Sequence, residues 1–284
     1  MVRNNEDRVG ASAPADPPPP PVMGSPSQAS SADQPFSFVT PTEFVELPSK
    51  GRFYPESHPL HNAETIEIRY MTAKDEDTLT SQSLLKRGIA LDRLLQNVIV
   101  DKNIKADNLL VGDKNAILVA TRISGYGADY PTKVQCESCG SVTTYEFNLS
   151  DISSAGGASL ELDENGIFYC DLPKMKVSLG LKLLYGTDEK RLTKLAERRK
   201  KKNLPEAALT DQFMAIIASV NDSTDPKHIA ALIDNMPAHD SRWLRLYYGT
   251  AVPNTDLSQE YECSNCGITE EVMIPFTTEF FWPK

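Results

Sequence analysis

Long apolar runs are missing from this 284-residue chain, and no stretch approaches the ~20 residues that a membrane-spanning helix needs. The first residues, Met-Val-Arg-Asn-Asn-Glu-Asp, hold no apolar core of a secretory signal, so none is expected. Histidine is scarce. His58, His61, His228 and His239 form no i, i+4 pair, and no acid stands at a metalloprotease spacing. A phosphate-cradling glycine loop and a Gly-x-Ser-x-Gly elbow are both lacking. Without these signatures, no enzyme is expected. Positive charge is in deficit as well: 29 Lys and Arg against 39 Asp and Glu leave a net charge of −10. That balance argues against general nucleic-acid affinity.

Cysteine is also sparse, but four of the five are paired in a telling way. Cys136-Glu-Ser-Cys139-Gly140 and Cys263-Ser-Asn-Cys266-Gly267 are two Cys-x-x-Cys-Gly turns, each followed by a strand-like run, Val142 to Leu149 and Ile268 to Phe276. Two thiolates at this spacing can grip one metal ion from a tight turn, and the glycine supplies the positive φ that folds the chain back. Cys136, Cys139, Cys263 and Cys266 together make a complete tetrahedral shell for one structural Zn²⁺. Closing the loop between Cys139 and Cys263 costs roughly 4 kcal/mol, against about 10–16 kcal/mol available from structural zinc. The alternative is two independent redox or free-thiol pairs, but a redox dithiol expects a following helix, and neither knuckle has one. Cys170 lies in the strand-like run Ile167–Cys170 and reads as a small apolar residue of the core.

Along the chain, residues 1–36 are Pro-, Ala- and Ser-rich and read as a disordered arm. Residues 37–284 form the ordered part. Strands are expected over 37–71, where Thr65–Met71 alternates apolar and charged residues, and helices over 72–127. The first helix opens on a capping box at Thr72–Asp75, and a later one runs from Asp113 to near Gly125 and Gly127. The first knuckle and its strands occupy 130–177, with a hairpin of Leu160–Glu164 and Ile167–Leu172 around Asn165-Gly166. A helical insertion is expected over 178–250. Its helices are one capped by Thr187, one from Glu206 to Val220, one opened by Asp225-Pro226, and one from Asp240 stopping at Gly249. Val177–Tyr185 is open between strand and helix. The second knuckle and an aromatic end, Phe280-Phe281-Trp282, fill 251–284. The fold class is therefore α+β: a zinc-ribbon-like module of two hairpin knuckles, split by a helical insertion.

Several pieces, taken in order, resemble the baseplate hub assembly proteins of T-even-type contractile-tailed bacteriophages. They are Glu46-Leu47-Pro48-Ser49-Lys50-Gly51-Arg52-Phe53-Tyr54, Met71–Glu76, Leu109–Leu118 with Gly112-Asp113, Arg122–Gly127, Asp240–Arg245 and Phe280–Pro283. The resemblance spans Phe44 to Trp282 and leaves out the Pro-rich arm. It implies a non-enzymatic morphogenesis protein of the tail baseplate that promotes or completes assembly of the central hub. Its partners would be other baseplate and hub proteins, in the virion tail or in the host cytoplasm during assembly. A rival reading is a zinc-ribbon nucleic-acid binder or transcription accessory factor, favoured by the knuckles and by the net +6 of Glu189–Lys202 (8 − 2). It lacks aromatic residues interleaved with the basic ones.

Overall fold

The alternation in Thr65-Ile-Glu-Ile-Arg69 turns Ile66 and Ile68 inward, where both are buried, while Glu67 and Arg69 stay partly exposed. This strand, β2 (Thr65–Arg69), pairs antiparallel with β1 (Thr42–Glu46), setting Val45 opposite Ile66. The computed structural model describes residues 39–274 and 278–281. The Pro-rich arm, Phe276 and Trp282 lie outside them.

Helices α1 (Ala73–Thr80), α2 (Gln82–Lys86), α3 (Ala90–Val98) and α4 (Val111–Tyr126) follow. The capping box is present at α1, where the Asp75 carboxylate accepts the Thr72 N–H at 2.9 Å. Leu94, Leu95 and Val98 of α3 are fully buried and belong to the same core as Ile68 and Ile99. Helix α4 stops at Gly127, whose φ of +85° suits glycine.

Helix α4 ties the chain together at both ends. Near its start, the fully buried Asp113 accepts the Ser49 N–H at 3.0 Å, the Ser49 hydroxyl at 2.6 Å and the Tyr54 hydroxyl at 2.7 Å. The Leu47–Gly51 turn and the Gly112-Asp113 pair, distant in sequence, are thus direct partners. Near its end, the fully buried Arg122 donates to the carbonyls of Phe280 (2.9 Å), Gly127 (2.6 Å) and Asp129 (3.1 Å). A cation there also suits the negative end of the helix. Phe280 and Phe281 are fully buried, so both are docked on the core.

After α4 come β3 (Asp129–Gln135), β4 (Val142–Asn148), β5 (Ser153–Ala155), β6 (Ile167–Asp171) and β7 (Ser178–Lys182). Then follow α5 (Gly186–Lys201), α6 (Ala208–Ile216), β8 (Ile217–Val220), α7 (Pro226–Asn235) and α8 (Ala238–Ala251). Strands β9 (Asn254–Asp256), β10 (Ser258–Glu262) and β11 (Thr269–Met273) complete the described elements. Among the described residues, the sheets are β1-β2, β3-β4, β10-β11, β5-β9 and β6-β7-β8, all antiparallel.

Five local expectations change. Residues 178–250 are not purely helical, because β7 and β8 lie in them; the open Val177–Tyr185 run supplies β7. The helix expected through Val220 ends at Ile216, since the β-branched Ile217 and Val220 complete a ladder on β7. The Asn165-Gly166 turn exists, with Gly166 N–H donating to the Asp163 carbonyl at 2.9 Å, but β6 pairs with β7 and Leu160–Glu164 forms no strand. At α5 the cap is Tyr185, not Thr187: the Asp188 carboxylate returns to the Tyr185 N–H at 3.2 Å. Finally, α8 runs through Gly249 to Ala251 and stops at Val252, because the residue before Pro253 is pushed out of helical geometry.

The two cysteine hairpins are brought together from α4. Gly112 approaches β9 so closely that a Cβ would meet the Pro253 carbonyl oxygen at 2.2 Å. Strand β9 pairs with β5, which follows β4, and β9 leads directly into β10. The bases of the β3-β4 and β10-β11 hairpins are therefore set side by side.

Candidate metal centre

Each knuckle is built from the same backbone bonds. The Cys136 N–H donates to the Ser141 carbonyl at 2.9 Å, and the Gly140 N–H to the Cys136 carbonyl at 2.9 Å. In the second, the Cys263 N–H donates to the Ile268 carbonyl at 2.9 Å, and the Gly267 N–H to the Cys263 carbonyl at 2.8 Å. Gly140 and Gly267 both take φ +70°, the conformation their position required. The first cysteine of each knuckle is buried and the second exposed.

The hairpins pack through an aromatic seam beneath the knuckles. Tyr261 is fully buried, stands edge-on to Tyr145 at 5.1 Å between ring centres, and shares a 2.7 Å hydrogen bond with the Thr143 hydroxyl. This seam fixes the knuckles face to face. All four sulfurs lie within 4.8 Å of one another. Cys136 Sγ is 3.7 Å from Cys266 Sγ, and Cys139 Sγ is 3.8 Å from Cys263 Sγ. A disulfide would need about 2.05 Å. Four thiolates at about 2.3 Å around one tetrahedral ion would stand about 3.8 Å apart. The donor set and its spacing therefore fit a thiophilic metal.

Outer groups favour the thiolate at Cys139 and Cys263, whereas desolvation and the neighbouring sulfurs raise Cys136 and Cys266. The Ser141 hydroxyl lies 3.0 Å from Cys139 Sγ and 3.5 Å from Cys263 Sγ, bridging the knuckles, and the Asn265 amide lies 3.5 Å from Cys139 Sγ. Hydrogen bonds from the Ser141 hydroxyl and the Cys266 N–H lower Cys263 to about 5. The Ser141 hydroxyl and the Asn265 amide lower Cys139 to about 7. Sequence reading picked the four cysteines and missed these two donors. The hydroxyl directly after the Cys-x-x-Cys-Gly turn was the available signal for Ser141, whereas Asn265 sits at an unremarkable turn position.

The other cysteine and the histidines are elsewhere. Cys170 is half-buried in β6, and burial pushes its thiol up to about 12. His58 stacks on Tyr54, His61 meets the Tyr54 carbonyl, His228 the Ser223 hydroxyl and His239 the Asp240 carboxylate.

The sequence profile described as T4 bacteriophage base plate protein matches residues 40–282, spanning both knuckles. The chain belongs to that family. Neither a curated protein nor a solved structure gives a significant match. The pieces that resemble hub assembly proteins are thus parts of a phage base plate protein. Two of them, Leu47–Tyr54 and Gly112-Asp113, meet at the buried Asp113 carboxylate. Among the described residues of this base plate protein, no helix is long and apolar enough to cross a membrane.

Proposed function

We propose that this base plate protein promotes, or forms part of, the central hub of the tail during virion assembly. It acts through protein–protein contacts and not as an enzyme, with one structural Zn²⁺ held by Cys136, Cys139, Cys263 and Cys266 in a zinc-ribbon-like module. The observation that carries the structural role is the four-sulfur cluster, all within 4.8 Å, joining cysteines 124 positions apart across the Cys139–Cys263 contact. A four-thiolate shell leaves no open coordination position for substrate, so the ion staples rather than catalyses. Thiolates favour zinc over hard cations such as Mg²⁺ or Ca²⁺. The hub role is carried by the ordered set of resembling segments within the family match.

The test is quantitative mass spectrometry of purified virions beside infected-cell lysate. A fixed small copy number per particle identifies a hub component. Abundance in lysate with absence from particles identifies an assembly factor. Complete base plates formed in infections lacking the protein would overturn both forms of the reading.

A further inference from the structure

A groove of about 900 Å³ runs between the α2–α3 turn and α5, floored by α4. Its inner wall is an ion-pair network of two lysines and three carboxylates, with a net charge of −1 (2 − 3). Lys114 bridges Asp92 at 3.1 Å and Glu189 at 2.5 Å, and Lys190 pairs with Asp92 at 3.3 Å and with Asp107. The rim is different. Arg87, Arg93, Lys105, Lys194 and Lys201 are exposed there against the single rim carboxylate of Glu197, and none of the five has a carboxylate partner among the described residues. The rim thus carries +4 (5 − 1), and the groove lining as a whole +3 (7 − 4), on a chain whose net charge is −10. The helix spacing explains the stripe: residues 190, 194, 197 and 201 recur at i, i+4, i+7 and i+11, one face of α5.

We propose that this groove is a docking site for an acidic segment of a partner protein, with apolar side chains among its carboxylates. The proposal rests on the reading of the chain as acting through protein contacts. Three features choose the occupant. Complementary charge is concentrated on the rim, where it steers encounter and sets register. Half-buried Ile89 and Leu91 also line the groove and offer apolar contact. Lys190 to Lys201 spans about 16 Å at 1.5 Å per residue, the length of roughly five extended residues and too long for one phosphate. Nucleic acid fits less well, because no aromatic side chain lines the groove for base stacking.

The experiment is fluorescence anisotropy of a labelled Glu–Leu repeat peptide against the full chain at low salt, with an oligothymidylate of equal charge in a parallel titration. Saturable peptide binding that weakens with added salt is expected. The Lys194→Glu, Lys201→Glu double variant should weaken it at least about tenfold, with an unchanged melting temperature since both side chains are exposed. A control charge reversal at the exposed Lys74 and Lys227, away from the groove lining, should leave affinity within about twofold. Absence of peptide binding, indifference to the double variant, or tighter oligothymidylate binding would each overturn the proposal. None of these outcomes changes the copy number in virions, so the base plate reading stands or falls separately.

Discussion

Cys139 Sγ and Cys263 Sγ lie 3.8 Å apart although 124 positions separate them. The same pairing is repeated by Cys136 and Cys266 at 3.7 Å. Metal analysis of purified protein should therefore give about one zinc per chain, and chelation should lower the melting temperature. Cys263→Ser should abolish stoichiometric zinc and remove a staple whose loop-closure share alone is about 4 kcal/mol. Metal-free protein whose melting is indifferent to chelator would remove the metal from the account.

Ser141 reaches both knuckles with one hydroxyl. Outer-shell partners of metal ligands commonly matter about 10–100-fold in affinity. Ser141→Ala should raise zinc loss to a competing chelator by a factor in that range, and Ser141→Thr should restore much of it. The readout is the chelator-competition curve, with fold monitored in parallel by circular dichroism.

The Asp75 carboxylate should dominate the acid limb of stability. Burial alone would raise it, but the Arg69 guanidinium at 2.7 and 3.0 Å and the Thr72 N–H and hydroxyl hold it at about 2. A depressed folded value means that its contribution is present above about pH 4 and is lost as pH falls toward 2. Asp75→Asn should lower stability at neutral pH and flatten the decline between those limits in denaturant titrations.

Arg122 offers a local test. Arg122→Lys keeps a charge but cannot reach all three carbonyls of Phe280, Gly127 and Asp129. A cost of about 3 kcal/mol is expected from charged hydrogen bonds lost in a buried site. Hydrogen exchange should show faster opening at Phe280 and Phe281 than in the parent protein.

Two helical glycines should respond with opposite signs. Gly112→Ala drives a Cβ to 2.2 Å from the Pro253 carbonyl oxygen and should cost about 1–3 kcal/mol. Gly249→Ala in α8 meets nothing within 4 Å and should stabilise by up to about 1 kcal/mol, since alanine is the better helix former. Melting temperatures of the two variants decide it.

Much of the candidate site was legible as spacing: the two Cys-x-x-Cys-Gly turns, their glycine conformation and the strands behind them are local events. So were the β2 alternation, the Thr72–Asp75 box, and the Asp225-Pro226 start of α7, where Asp225 accepts the Lys227 N–H at 2.8 Å. Each follows from steric and hydrogen-bond preferences acting over a few residues.

Partner choice was not legible, because it is settled by contacts between distant segments. Periodicity could not say that Ile217–Val220 would leave a helix to pair with β7, or that β6 would pass over Leu160–Glu164. Nor could it join Ser49 to Asp113, place Ser141 between sulfurs of two knuckles, or set the α5 cations along a groove. The chain determined its turns, caps and thiol pairs by itself. Only the packing of β5 on β9, α4 against Pro253 and Tyr145 against Tyr261 decided that four distant sulfurs would share one point in space.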